Sequence, residues 1–162
     1  MQTDATTSRI QNSAAKTRGH IQFVPLPGSS SSLGVSAIER ELHEGGAALR
    51  LGRFTDRSGI DVAELNALDH KKLLFKSKVV ARAHAEIWVE AGGKFFVKDT
   101  KSSSGTFLND IRLSPANTES TTFEVKDGDV LQLGMDYQGG KEDLHRAVKM
   151  RIVIRSQAVK LP

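Results

Sequence analysis

The chain has no cysteine among its 162 residues. Disulfides, cysteine-ligated zinc and thiol catalysis are thereby excluded, and with them a RING or zinc finger within these boundaries. Aromatics are scarce, at 6% with one Trp and one Tyr. Few side chains are left to stack on bases, and the Lys and Arg residues are scattered rather than gathered in a stripe. Nucleic acid is therefore not an expected partner, although a net charge of +4 favours acidic partners in general. No apolar run approaches the roughly 18–20 residues of a membrane span, and Met1 to Lys16 has no hydrophobic signal region. The expectation is a soluble, intracellular, cytoplasmic protein with no membrane partner. At 38% hydrophobic, the chain falls below the globular average, so part of its length is expected to pack no core.

The order of segments points to one domain. Residues 1–18 are rich in Thr, Ser, Ala and Gln without periodicity and read as a disordered leader. The domain is expected over 19–157, with a tail at 158–162. Strand-like segments recur at Ile21–Val24, Val35–Leu42, Ala48–Leu51, Leu73–Phe75, Val79–Val80, His84–Val89, Lys94–Lys98, Thr106–Leu108, Val130–Leu133 and Val148–Ile154. Glycine- and serine-rich turns separate them, at Gly28 to Ser32, Gly92-Gly93, Ser102 to Gly105, Gly128 and Gly139-Gly140. Around Val62 to Leu68 a helical turn and a long loop are both open. Many short strands with turn signals between them favour an all-β sandwich or barrel.

Three polar loop segments have the chemistry of anion capture. Gly52-Arg53 ends a strand in a guanidinium, whose fork of donors matches a phosphate. Lys76 to His84 places cations, Arg82 among them, just before a marked strand. His84 has no nucleophile or carboxylate tied to it, so bracing neighbouring loops through its two ring nitrogens is the expected role. Asp99 to Asn109 holds the serine cluster Ser102 to Ser104 and then Gly105-Thr106, a turn where hydroxyls and amides converge. Taken alone it also reads as an ordinary loop or a phosphoacceptor stretch.

In order and spacing these pieces resemble the FHA (forkhead-associated) domain over about residues 20–156. The shared elements are Gly52-Arg53, Arg82-x-His84, Ser102/Ser103 to Gly105-Thr106, Asn109, and Gly128-Asp129 before Val130 to Gly134. The stretches Arg50 to Arg57, Phe75 to Val80, Lys98 to Asn109 and Leu131 to Gly140 are similar to the FHA portion of fungal FHA–RING ubiquitin ligases of mitotic checkpoint and septation control. The resemblance implies a two-sheet antiparallel β-sandwich with binding loops at one end, and a threonine-phosphorylated protein segment as partner. It implies that Arg53 and Arg82 contact the phosphate and that Ser103 holds the phosphate or the phosphothreonine backbone. Ser104 stands where the family has an Asn that grips the peptide. Gly52, His84, Gly105, Thr106 and Asn109 would support the loops, and Asp99 would be structural. Lys78 and Val79 lie where ligand residues beyond the phosphothreonine are read. No catalytic residue, metal or cofactor is implied. The RING of the family lies outside this sequence, so the chain is expected to be part of a longer ligase acting at a spindle pole or division site.

One departure bears on affinity. Ala81 occupies the place of the family's phosphate-binding serine, and loss of that hydroxyl is expected to weaken binding. Ser104 for Asn suggests altered peptide anchoring. A phosphate-independent interaction or dimerisation scaffold is the alternative, and a homodimer is left open. A phosphatase or nuclease built on His84, Asp99 and Asp129 is disfavoured, because the acids sit far apart in turn contexts.

Overall fold

A computed structural model describes residues 16–30, 37–55, 59–138 and 142–156. Most of the expected leader, the tail and the Gly139-Gly140 turn lie outside these. Two sheets form the domain. One runs in the order β2 (Ile38–His43), β1 (Arg18–Pro25), β11 (Val148–Ser156), β10 (Val130–Leu133), β7 (Thr106–Leu108), β8 (Ile111–Arg112). The other runs β4 (Lys72–Phe75), β3 (Leu49–Arg53), β5 (Ala85–Glu90), β6 (Lys94–Asp99), β9 (Phe123–Val125). Period-2 patterning explains the layering, since alternate side chains of a strand face opposite sides. Ile21 and Phe23 of β1, and Met150 and Ile152 of β11, meet Leu51, Phe75, Ile87 and Val97 of the second sheet in a closed core.

The all-β two-sheet sandwich expected from sequence is what the chain forms, with three differences of detail. First, β1 already begins at Arg18, before the expected strand at Ile21. Second, β3 pairs with β4 in parallel, Arg50 opposite Lys72 and Arg53 opposite Phe75, while the other named pairs are antiparallel. The helix α1 (Val62–Leu68) makes that crossover possible. Its buried Asn66 then closes the outer edge of β4, donating from Nδ2 to the Leu74 carbonyl (2.9 Å) and accepting from the Leu74 amide (2.8 Å). Third, Val79 and Val80 do not form a strand. Val80 N–H turns back to the Ser77 carbonyl and Val79 N–H to Ser77 Oγ, so turn bonds take the groups that a ladder would need.

Register places the loops. Ala85 opposes both Leu51 and Asp99, so the end of β3, the start of β5 and the end of β6 lie side by side. In the facing sheet Leu133 opposes both Thr106 and Val148. The segments after Gly52, before Ala85, between Asp99 and Thr106, and between Leu133 and Val148 therefore emerge together at one end.

Candidate functional site

These segments are tied to one another before any ligand arrives. Arg53 N–H donates to the Ala81 carbonyl and His84 N–H to the Leu51 carbonyl, both at 2.9 Å. The end of β3 is thus sewn to the 81–84 segment. Gly52 is required at that seam, because a Cβ built on it would stand 2.0 Å from the Arg82 carbonyl oxygen. Lys78 N–H donates to the Leu144 carbonyl (2.7 Å) and Ser77 Oγ to the Arg146 carbonyl (2.6 Å), which joins the same segment to the connection between β10 and β11.

Asp99 organises the serine loop. Fully buried, it accepts from Ser102 N–H at 2.8 Å, from Ser102 Oγ, and from Thr106 Oγ1 at 2.7 Å. Ser102 Oγ in turn accepts from Gly105 N–H at 3.0 Å. Ser104 Oγ leaves this cluster and donates to the Val79 carbonyl on the neighbouring loop. Arg112 donates to the Ser103 carbonyl at 3.2 Å. The Ser103 side chain is left exposed, with no hydrogen-bond partner among the described residues.

His84 joins the loops at the centre. Its Nδ1 accepts from the Ala81 amide (3.0 Å) and its Nε2 faces the Gly105 carbonyl at 2.8 Å. An amide can only donate and a carbonyl can only accept, so the ring is neutral with its proton on Nε2. Burial holds the pKa of His84 below its ordinary 6.5, against the opposing pull of the Gly105 hydrogen bond and Asp99. A proton added at Nδ1 would also set two N–H groups against each other. The native state therefore resists a proton that the unfolded chain accepts. Stability from this site is complete above about pH 6.5 and declines as pH falls from there towards the depressed native value, by at most about 1.4 kcal/mol per pH unit. Urea unfolding at about pH 7.5 and about pH 5.5 should show a smaller loss in His84→Gln than in the parent. An equal loss in both would remove His84 as the cause.

The knitted loops enclose an open groove of about 650 Å³. Arg53 and Arg82 line it from different segments, with Lys78, Ala81, Ser103 and Ser104 around them. Arg53 is half-buried and makes one loose contact, from Nη1 to the Lys78 carbonyl at 3.5 Å. Arg82 is exposed, and among the described residues its guanidinium makes no ion pair or hydrogen bond. Two fork-shaped cations thus face one cavity with donors unspent, an arrangement suited to a tetrahedral dianion.

Of the residues singled out from sequence, Gly52, Arg53, Ala81, Arg82, His84, Ser103, Ser104, Gly105 and Thr106 gather here. Asn109 does not. It sits at the far end of β7 in a two-residue hairpin with Asp110, both at positive φ (51° and 69°), and binds Asp129 and Val130. The sequence reading assigned no part to the opposite wall, where Met135 and Tyr137 are 52% and 61% exposed. Gly134, at φ 82°, delivers that wall, and its N–H donates to the Gly105 carbonyl at 2.8 Å.

The fold is a β-sandwich whose loops bring two guanidiniums to one groove at one end. Among the described residues no group of three or more His, Asp or Glu side chains could hold a metal. The family model for the FHA domain matches residues 51–134, and the chain belongs to that family. It is 48% identical over 107 residues to the E3 ubiquitin-protein ligase DMA2 of Saccharomyces cerevisiae, covering 66% of this chain and 20% of that protein. It is 41% identical over 106 residues to the probable E3 ubiquitin-protein ligase dma1 of Schizosaccharomyces pombe, covering 65% and 37%. The chain thus spans a fifth to about a third of the length of these relatives. The N-terminal FHA domain of S. cerevisiae Rad53p, solved with a phosphothreonine peptide, shares the fold with a TM-score of 0.54 at 15% identity, over 83% of this chain and 93% of that one.

Proposed function

We propose that the chain is a phosphothreonine-reading module that recruits a phosphorylated substrate or partner to a ubiquitin ligase of the DMA type. The observation that carries this reading is the convergence of Arg53 and Arg82 on one groove rimmed by Ser103 and Ser104. A phosphorylated residue brings nearly two negative charges and three acceptor oxygens, which match these unspent donors. In this role the chain acts by binding, and turnover belongs to parts of the ligase beyond it.

Ala81 lines the groove with a methyl group, at the place where the resemblance puts a phosphate-binding hydroxyl. Hydrogen bonds to charged groups contribute about 1.5–3 kcal/mol, so Ala81→Ser should tighten binding about ten- to a hundredfold. Calorimetric titration of a phosphothreonine peptide and its unphosphorylated twin against both proteins tests the reading. Heat is expected only from the phosphorylated peptide, with tighter binding by the Ala81→Ser variant than by the parent. Equal affinities of the two proteins would remove the role given to position 81.

The same methyl is the observation that favours a second reading, a scaffold that binds protein irrespective of phosphate. Partner capture that persists after phosphatase treatment would establish that reading against the first.

A further inference from the structure

Five side chains from Thr100 to Thr106 carry hydroxyls, and the fold spends four of them. Thr100 Oγ1 donates to the Ala83 carbonyl at 2.9 Å, Ser102 Oγ and Thr106 Oγ1 donate to the Asp99 carboxylate, and Ser104 Oγ donates to the Val79 carbonyl. Ser103 is the exception. Its hydroxyl is exposed and, among the described residues, without a partner. Its backbone is nonetheless fixed, by Arg112 Nη2 on the Ser103 carbonyl at 3.2 Å and by the Asp99 bonds to Ser102 and Thr106 on either side. The side chain is thereby kept at the groove that Arg53, Lys78 and Arg82 also line. The acid in that lining, Asp136, accepts from the Ala147 amide at 2.8 Å, and among the described residues none of the three cations makes an ion pair. One free hydroxyl thus stands in a receptacle of unspent positive charge.

We propose that Ser103 is a phosphorylation site, and that its phosphoserine docks in cis on Arg53 and Arg82 and closes the groove to the phosphothreonine ligand. The inference rests on the phosphothreonine reading of that groove. A serine/threonine kinase would carry out the step with ATP. The bond from the γ-phosphorus to the bridging oxygen of ADP breaks, a bond to Ser103 Oγ forms, and the hydroxyl proton passes to a base of the kinase. The product brings nearly two negative charges and acceptor oxygens that match the guanidinium forks. Tethered by its own backbone, it is captured without a second molecule, so even a weak contact is well populated. An arriving phosphothreonine then meets occupied donors and a like charge.

The chain with phosphoserine installed at position 103 during translation tests this against the unmodified chain. Calorimetry with one phosphothreonine peptide should show affinity lower by about a hundredfold, the loss expected when the donors to the phosphate are taken. Phosphorus NMR reads the cis contact itself. Free phosphoserine has its second pKa at about 6, and two guanidiniums favour the dianion, so the resonance should titrate below that value. Arg82→Ala should return the midpoint towards it. Mass spectrometry of the chain recovered from phosphatase-inhibited yeast cells should find phosphate on Ser103 and not on Ser102, Ser104 or Thr106, whose hydroxyls are spent. Undiminished binding by the phosphorylated chain, a resonance that titrates as free phosphoserine, or no phosphate on Ser103 in cells overturns the proposal and leaves the phosphothreonine reading standing. If the unmodified chain binds no phosphothreonine peptide, that reading falls and this inference with it.

Discussion

Gly52→Ala is expected to cost about 3 kcal/mol or more of stability, since overpacking alone costs about 1–3 and the lost seam hydrogen bonds about 1 each. The added methyl would sit 2.0 Å from the Arg82 carbonyl oxygen, and that neighbour is backbone, so no side-chain rotation relieves the clash. Relief requires the end of β3 and the 81–84 segment to part. Parting them breaks the bonds of Arg53 N–H to Ala81 and His84 N–H to Leu51. For a domain of this size the unfolding midpoint should fall by roughly 10 °C. Because the same seam aligns Arg53 with Arg82, whatever folded variant remains should also bind phosphothreonine poorly. Thermal unfolding followed by circular dichroism checks the first effect. A midpoint within about 2 °C of the parent would show that the seam is not tight.

Arg53→Ala should weaken phosphothreonine binding about a hundredfold, from the loss of two charge-assisted hydrogen bonds at about 1.5 kcal/mol or more each. Arg53 is half-buried at the seam, where solvent screens it less than the exposed Arg82. Its loss should therefore be the larger of the two. Arg53→Lys separates charge from shape: a lysine keeps the charge but not the planar fork, and is expected to recover only part of the affinity. Full recovery would mean that the site reads charge alone. Neither substitution disturbs the Arg53 backbone bond to Ala81, so the unfolding midpoints should stay near that of the parent.

The parts of this site that could be read from sequence are those set by local chemistry. A strand ending in Gly-Arg, cations before His84, and serines before Gly-Thr are short patterns whose side chains announce what they can hold. What escaped depends on contacts between distant segments. The partners of His84, the Ala81 amide and the Gly105 carbonyl, are backbone groups, which carry no residue code. Asn66 stands in for a strand against β4, and nothing in Val62 to Leu68 signals that a helix rather than a loop sits there. β8 and β9 are two and three residues long, too short to show alternation. Val79 and Val80 carried strand-forming side chains but were captured by Ser77, so local hydrogen bonding overrode propensity. The Met135–Tyr137 wall was missed because exposure of an apolar residue is a property of the folded surface.

The binding effects depend on Arg53, Arg82 and the serine loop forming a single receptacle for a dianion. Amide chemical-shift mapping during titration with a phosphothreonine peptide addresses that directly. The largest changes are expected at Arg53, Ala81, Arg82, Ser103 and Ser104, and should be absent with the unphosphorylated peptide. Changes centred instead on the outer sheet face around Trp88 and Phe96, or identical for both peptides, would contradict it.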